Sequence, residues 1–259
     1  MARTRLAQAP DAGDALAAPP PLDPDAVSLF LDLDGTIAPL ERTPEAVGPD
    51  VARRRLLDAM RARLGGRLAV ISGRTLGDLD RVLEGRIASL GAVHGLARRM
   101  PNGEIVEAAG AEQVGQAVEE MRTFAAADPS LLVEDKGPAA SLHFRLHPEA
   151  GPECRDFVRR LGLRHGLDVQ EGDMVMEVRA PGPDKGEAIA AFMAAPPFAG
   201  YRPVFLGDDL TDEDGFRVAR SLGGYGVIVG ARRPTGATYA LAGVDEARAW
   251  LRSALGARS

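Results

Sequence analysis

The sequence predicts an α/β protein with a Rossmann-like, doubly wound parallel-sheet core and an inserted α+β unit. Short apolar runs alternate with stretches of helical periodicity, which is typical of parallel strands joined by helices. Most of these runs end in Gly, Ser or Asp, where a buried strand is expected to give way to a turn. Between about residues 105 and 180 the order becomes helix, strand, strand, helix, strand, strand. Tight turns between adjacent strands there predict antiparallel pairs.

The core elements are expected in two separate runs of the chain. The first run has strands at about 27–32, 67–71 and 87–93, with helices at about 49–64 and up to Leu83. The second run has strands at 203–206 and 226–229, with helices at about 183–195, from about Thr211, and at about 245–255. The inserted unit has helices at about 111–127 and 152–161, and strands at about 131–135, 140–146, 167–171 and 174–179, the last two forming a hairpin across Gly172-Asp173.

These elements define the predicted domains. Residues 26–104 and 181–259 form the core, and residues 105–180 form the α+β domain. Residues 1–25 are rich in Ala and Pro and show no periodicity, so a disordered tail is expected there.

Composition excludes several classes of protein. The net charge of −6 argues against a nucleic-acid-binding surface. No apolar stretch approaches the roughly 18 residues that a membrane span needs, and the N-terminus lacks the apolar segment of a secretory signal. The single cysteine, Cys154, suits a reducing compartment. We therefore expect a cytoplasmic monomer that binds neither nucleic acid nor membrane.

Carboxylates gather where two predicted core strands end. Asp32 and Asp34 follow the first strand, and Asp208 and Asp209 follow the strand at 203–206. Ligands of an open α/β sheet bind beyond the carboxyl ends of its strands. Several carboxylates at one such edge repel one another, and hard oxygen ligands suit Mg²⁺. Asp212, Glu213 and Asp214 follow closely, but Glu213 and Asp214 fit the ordinary preference of acids for a helix start.

Two further segments supply groups that can bind an anion. Ser72-Gly73 ends a strand just before a helix, where a hydroxyl and backbone N–H groups can hold an anion. Lys185 begins a helix, where the helix dipole disfavours a cation. A nearby phosphate or carboxylate therefore explains the lysine at this position better than helix stability does. Hydrolysis of a phosphate monoester needs a nucleophile, a metal, donors to the phosphoryl oxygens and an acid for the leaving group. The sequence offers a candidate for each.

These residues resemble a known family. The segments Asp32-Leu33-Asp34-Gly35-Thr36, Ser72, Lys185 and Gly207-Asp208-Asp209 are similar in order and spacing to the four motifs of the haloacid dehalogenase superfamily. Within it, further segments resemble the trehalose-6-phosphate phosphatase family: Gly91-Ala92-Val93-His94-Gly95, Val133-Glu134-Asp135-Lys136-Gly137, Met174-Val175-Met176-Glu177-Val178-Arg179 and Gly207 to Asp214. The inserted unit corresponds to the cap domain of that family.

The resemblance implies a role for each motif residue. Asp32 is expected to be the nucleophile that forms an aspartyl-phosphate, and Asp34 the acid and base. Ser72, the Gly73 N–H and Lys185 are expected to hold the phosphoryl group. Mg²⁺ is expected on Asp32, the Asp34 backbone carbonyl and Asp208. Asp209 or Asp212 is expected to support those ligands, and Asp212 is the favoured of the two.

The cap strands predict a polar surface. Glu134 and Lys136 share one strand face, His143 and Arg145 another, and Glu177 and Arg179 a third. Such mixed acids and bases suit the hydroxyls of a sugar, although the pattern alone favours a solvated sheet face. The resemblance implies that Glu134, Lys136, Arg145 and Glu177 bind substrate, together with Arg74 and His94. A purely structural role stays open for His94.

The predicted function is Mg²⁺-dependent hydrolysis of trehalose 6-phosphate, the last step of trehalose biosynthesis. The alternatives are the same chemistry on sucrose phosphate or mannosyl-phosphoglycerate, a phosphoacceptor switch module, and an inactive sugar-binding relative. A switch module resembling response-regulator receivers lacks a second Asp two residues after the acceptor and has no cap. The inactive relative is disfavoured because every catalytic position is filled.

Overall fold

A computed structural model of the protein describes residues 16–41, 43–172, 174–230 and 233–256. The strands are β1 (Val27–Leu31), β2 (Leu68–Ile71), β3 (Ser89–Ala92), β4 (Ala97–Arg99), β5 (Ile105–Glu107), β6 (Leu132–Asp135), β7 (Ala139–His143), β8 (Asp168–Gly172), β9 (Val175–Arg179), β10 (Arg202–Gly207), β11 (Tyr225–Val229) and β12 (Tyr239–Leu241). The helices are α1 (Val51–Arg63), α2 (Leu76–Leu83), α3 (Ala111–Ala125), α4 (Gly151–His165), α5 (Lys185–Met193), α6 (Glu213–Ser221) and α7 (Val244–Gly256).

Eight strands form the core sheet, in the order β12-β11-β10-β1-β2-β3-β4-β5. The strands from β12 to β3 pair in parallel, and β4 and β5 continue the sheet antiparallel. The chain runs outward from β1 through β2 and β3, and outward from β10 through β11 and β12. The direction of winding therefore reverses between β1 and β10, which is where ligands bind in such sheets.

Helices cover both faces of the core sheet. The apolar side chains of α1, α2 and α7 join one buried cluster, and those of α5 and α6 join another on the opposite face. Phe30, Phe192 and Phe198 pack together in the second cluster, with ring centroids 5.4 to 6.2 Å apart. The predicted doubly wound α/β core is therefore confirmed.

The insert sheet is a separate antiparallel sheet with the order β6-β7-β9-β8. Helices α3 and α4 cover one of its faces, where a third apolar cluster includes Val118, Phe144 and Val158. The opposite face is left for polar side chains. Asp173, in the predicted turn between β8 and β9, lies outside the described residues.

Three short strands were not predicted from the sequence. β4, β5 and β12 have three residues each, too few to show a period. β5 belongs to the core sheet, so the expected boundary at residue 105 falls inside that sheet. The strand expected at 140–146 instead ends at His143, and Leu146 is 71% exposed. The chain turns there because the N–H of His147 bonds back to the carbonyl of Phe144.

The prediction of a disordered tail is wrong for residues 16–25. Leu22 is buried in the core, and the Trp250 indole donates to the carbonyl of Pro20 across 3.0 Å. The Arg67 guanidinium binds the carbonyl of Pro24. The lack of periodicity in this segment therefore does not reflect disorder, because hydrogen bonds to its backbone carbonyls attach it to the core. Residues 1–15 lie outside the described residues.

Within the described part of the chain, no helix is both long and apolar enough to cross a membrane.

Candidate active site

Three predicted residues meet at the carboxyl ends of β1 and β10. Asp32 directly follows β1, and its N–H donates to the carbonyl of Leu206 on β10 across 2.9 Å. The ammonium of Lys185, the first residue of α5, lies 2.9 Å from Oδ1 of Asp32 and 2.7 Å from Oδ1 of Asp212. All three side chains are buried. The predicted juxtaposition of Asp32 with Lys185 is therefore present.

Asp212 organises the loop that follows β10. Its Oδ2 accepts the N–H groups of Asp208 and Asp209 at 2.9 and 3.0 Å, and its Oδ1 binds Lys185. Gly207 makes room for it, because a Cβ there would lie 2.3 Å from Cγ of Asp212. The side chain of Asp209 instead caps its own turn by accepting from the backbone N–H and hydroxyl of Thr211. Of the two supporting candidates, only Asp212 lies among the buried carboxylates.

The carboxylates form a site whose chemistry fits a divalent cation. One oxygen each of Asp32, Asp208 and Asp212 lies within 4.8 Å of the others. Burial, followed by the charges of Asp212 and Asp209, raises the pKa of Asp208 to about 7. Burial also raises the pKa of Asp32. The Lys185 ammonium acts to lower that pKa, whereas the charges of Asp212 and Asp208 raise it further. Hard oxygen donors this close to one another favour a hard cation. The two oxygens of Asp212 already have donors, so Asp32 and Asp208 are the better placed ligands.

Asp34 lies apart from these carboxylates, with its side chain on Arg74. Nε of Arg74 donates to Oδ2 of Asp34 across 2.6 Å, and Nη2 donates to Oδ1 across 2.9 Å. Nη1 of the same guanidinium donates to Asp78 on α2. Arg74, expected to contact substrate, is therefore engaged with two carboxylates of the protein. The role of Asp78 has no counterpart in the sequence analysis.

Ser72, Gly73 and His94 form the third side of the site. Ser72 follows β2 and is buried, with its N–H on the carbonyl of Gly91. The His94 ring lies directly over Gly73, where a Cβ would be 2.5 Å from Nε2. Burial, reinforced by Lys185, lowers the pKa of His94 to about 4. Its Nδ1 is buried and has no hydrogen-bond partner among the described residues. A neutral imidazole therefore faces the predicted phosphoryl site.

The polar face of the insert sheet carries a connected network. The Lys136 ammonium lies 2.7 Å from Oε2 of Glu177 and 3.7 Å from Oε2 of Glu134. Burial acts to raise the pKa of Glu177, but the charge of Lys136 and the hydrogen bonds from Lys136 and Ser141 lower it overall. His94 of the core lies within electrostatic range of Glu177 and Lys136, so this network lies near the core site. Of the four cap residues predicted to bind substrate, Glu134, Lys136 and Glu177 share one surface.

Two residues of this network were missed as candidates. The Ser141 hydroxyl donates to Oε2 of Glu177 across 2.8 Å, and the His143 ring lies 3.1 Å from Oε2 of Glu134. Ser141 stands opposite both Glu134 and Glu177 in the sheet register. A polar residue inside the apolar run of β7 was the available signal. Arg145 lies beyond the end of β7 and is exposed, outside the row that these residues form.

Comparison with known proteins places the chain in a family. A family model described as trehalose-phosphatase matches residues 30–245. A probable trehalose-phosphate phosphatase from Sinorhizobium fredii is 37% identical over 229 residues, which cover 88% of this chain and 86% of the relative. The trehalose-6-phosphate phosphatase of Escherichia coli K12 is 38% identical over 227 residues, covering 86% and 84%.

A solved structure described as a trehalose-6-phosphate phosphatase related protein has a TM-score of 0.75 at 27% identity. The match covers 86% of this chain and 95% of that one. The resemblance drawn from the sequence motifs is therefore confirmed. The chain belongs to the trehalose-phosphatase family.

Proposed function

We propose that the protein hydrolyses trehalose 6-phosphate to trehalose and inorganic phosphate. The polar network of Glu134, Lys136 and Glu177 and the buried Asp32–Lys185 pair both have members within electrostatic range of His94, and this observation carries the proposal. One surface suits the hydroxyls of a sugar, and the other suits a phosphoryl group. Their proximity to one histidine supports a sugar phosphate site shared between the insert sheet and the core.

In the first half-reaction, a carboxylate oxygen of Asp32 attacks phosphorus, and the bond between phosphorus and the sugar oxygen breaks. Asp34 donates a proton to that oxygen, so trehalose leaves as a neutral alcohol. The Ser72 hydroxyl, the Gly73 N–H and the Lys185 ammonium hold the phosphoryl oxygens. Donors fixed before the reaction stabilise the developing charge without reorganisation.

In the second half-reaction, a water molecule attacks the phosphorus of the aspartyl-phosphate. Asp34, now ionised, takes a proton from that water, and the bond between Asp32 and phosphorus breaks. Phosphate is released and both carboxyl groups return to their starting states. A second carboxyl two residues after the nucleophile is thus what sustains turnover.

We propose that the divalent cation is Mg²⁺, held by Asp32, Asp208 and the backbone carbonyl of Asp34. When bound, it supplies positive charge to the phosphoryl oxygens and to the crowded carboxylates. Asp212 supports this set by fixing the Asp208 backbone and the Lys185 ammonium. The monomeric state and the cytoplasmic location stay predictions.

The proposal is tested by phosphate release from a panel of sugar phosphates. Trehalose 6-phosphate, sucrose 6-phosphate, mannosyl-phosphoglycerate and glucose 6-phosphate are compared in Mg²⁺ and after chelation. We expect trehalose 6-phosphate to give the highest kcat/KM, and the chelator to abolish release. A better substrate within the panel would make the assignment of the sugar wrong.

The variant Asp32→Asn tests the nucleophile separately. We expect it to fold, as judged by circular dichroism, and to release no phosphate. Retained turnover would contradict the assignment of Asp32. A single stoichiometric phosphorylation of the wild-type chain, with no turnover, would instead favour the phosphoacceptor module.

A further inference from the structure

Asp34, the proposed acid–base residue, is bound by the Arg74 guanidinium, which is bound in turn by Asp78. Both oxygens of Asp34 accept from Arg74, at 2.6 and 2.9 Å. Arg74 is only 8% exposed. A two-point pair between a planar guanidinium and a carboxylate sets the orientation of the carboxylate as well as its position. The direction of the Asp34 carboxylate is therefore set by where the Arg74 head group lies.

Asp78 helps to fix the position of that head group. Its Oδ2 accepts from Nη1 of Arg74, while its Oδ1 accepts from Nε and Nη2 of Arg81 at 2.9 and 2.5 Å. Asp78 lies in the first turn of α2, and its own N–H is capped by the Thr75 hydroxyl across 3.2 Å. The Asp78 carboxylate is thus fixed by a helix, and it binds the Arg74 guanidinium from that fixed position.

The turn that carries Asp34 does not need Arg74 in order to close. The N–H of Gly35 bonds to the carbonyl of Ala38 at 2.8 Å, and the N–H of Ala38 bonds to the carbonyl of Leu33 at 2.7 Å. Backbone hydrogen bonds therefore define the path of the chain here. The side-chain contacts from Asp78 through Arg74 therefore affect only the orientation of the Asp34 carboxylate.

We propose that Asp78 is a positioning residue for the Asp34 carboxylate and acts through the Arg74 guanidinium. The inference rests on the proposed function, in which Asp34 protonates the leaving group and deprotonates water. Asp78 contacts neither Asp32 nor Lys185 among the contacts described, so attack on phosphorus is left intact when Asp78 is changed. Only steps that move a proton through Asp34 depend on it.

The test compares two leaving groups in the variant Asp78→Asn. Trehalose leaves as an alcohol that needs a proton, whereas 4-nitrophenolate leaves without one. We expect single-turnover cleavage of trehalose 6-phosphate to slow by about tenfold, a part of the 10²–10⁴ that acid–base catalysis supplies. We expect single-turnover release of 4-nitrophenolate from 4-nitrophenyl phosphate to stay within about twofold of wild type.

The variant Asp80→Asn is the matched control. Asp80 lies on the same helix and makes a two-point pair with Arg99, at 2.8 Å for both contacts, but that pair ties α2 to β4. We expect both leaving groups to react at wild-type rates in this variant. Asp78→Glu keeps the carboxylate and is expected to recover most of the lost rate, which also covers the case in which Asp78→Asn folds poorly.

The double variant Asp34→Asn/Asp78→Asn completes the design. If Asp78 acts through Asp34, removing Asp78 has no further effect once Asp34 is gone. The proposal is overturned if Asp78→Asn slows both leaving groups equally, or if it slows the Asp34→Asn variant as much as it slows wild type. A wild-type chain that releases phosphate from 4-nitrophenyl phosphate but not from trehalose 6-phosphate would instead contradict the proposed substrate. In that case another alkyl phosphate of the panel replaces it in the comparison.

Discussion

Lys185 donates to Asp32 across 2.9 Å, and the two side chains are only 2% and 6% exposed. The same ammonium binds Asp212, which is fully buried. One cation therefore compensates two carboxylates that are almost completely buried. Removing one member of such a group leaves charge buried without a partner, which costs far more than an exposed ion pair is worth.

Lys185→Met is accordingly expected to destabilise the protein by about 3–5 kcal/mol, because it leaves Asp32 and Asp212 unpaired. Urea unfolding followed by circular dichroism measures this loss. The double variant Lys185→Met/Asp212→Asn removes one of the stranded charges and is expected to regain part of the stability. If both variants unfold at the same urea concentration, Asp212 is not compensated by Lys185.

Gly35→Ala is expected to abolish cation binding and phosphate release. Gly35 has φ of +77°, and a Cβ there would lie 2.1 Å from Oδ2 of Asp208. The methyl group therefore occupies the position of a proposed ligand and strains the backbone as well. Isothermal titration with Mg²⁺ checks the effect directly.

Gly115→Ala serves as the control for this substitution. Gly115 lies within α3, and apart from the neighbouring backbone of its own helix no described atom lies within 4 Å of a Cβ built there. We expect Gly115→Ala to stabilise the protein by up to about 1 kcal/mol and to leave activity unchanged. Normal Mg²⁺ binding by Gly35→Ala would contradict the placement of Asp208 at the cation.

These glycines illustrate what the sequence could and could not predict. The motif Asp32 to Thr36 and the alternation of strands and helices sufficed for the sheet, because buried parallel strands have a strong apolar signature. The position of Gly35 against Asp208 depends on two segments that are distant in sequence. A contact of that kind is set by strand register, which a single sequence does not specify.

The affinity for a divalent cation is expected to fall as the pH drops below about 7. Burial and neighbouring carboxylates raise the pKa of Asp208 to about 7, and a cation binds the ionised form in competition with the proton. The affinity of the metal-free protein should thus change by about tenfold per pH unit below that value and level off above it. Mn²⁺ titrations followed by electron paramagnetic resonance between about pH 5.5 and 8.5 provide the measurement. Asp208→Asn should weaken binding and flatten this dependence.

Ser141→Ala is expected to weaken recognition of the sugar while sparing the chemistry. The hydroxyl donates to Glu177 across 2.8 Å in a buried position, and a hydrogen bond to a charged group is worth roughly 1.5–3 kcal/mol. We expect KM for trehalose 6-phosphate to rise by about tenfold or more, with kcat nearly unchanged. Steady-state kinetics with 4-nitrophenyl phosphate should show no effect.

Ser253→Ala supplies the comparison for Ser141. The Ser253 hydroxyl donates to the carbonyl of Trp250 on the exposed side of α7. Its removal should leave KM and kcat unchanged for both substrates. An equal rise in KM for trehalose 6-phosphate and 4-nitrophenyl phosphate in Ser141→Ala would contradict a role in binding the sugar.

The cap residues show where sequence reasoning relied on resemblance and not on physics. Alternation along two predicted strands put Glu134, Lys136 and Glu177 on polar faces, but by itself it favoured a solvated surface. One compositional signal was available: only two of the 31 Lys and Arg residues are lysines, Lys136 and Lys185. In a chain that otherwise uses arginine, a compact ammonium is retained where two carboxylates must share one cation. Both lysines lie in such places.

The pairing of β1 with β10 also determines when the site can exist during synthesis. Val27 pairs with Arg202 in this register, so one edge of β1 has no partner until residue 202 has been made. At roughly 5–20 residues per second, the ribosome needs about 10 to 35 s to make the intervening chain. During that interval β1 can pair only with β2, and an apolar strand edge stays exposed to chaperones or to other chains. The segment that carries Asp32 is therefore among the first of the described chain to be translated, and the site around it is among the last parts to be completed.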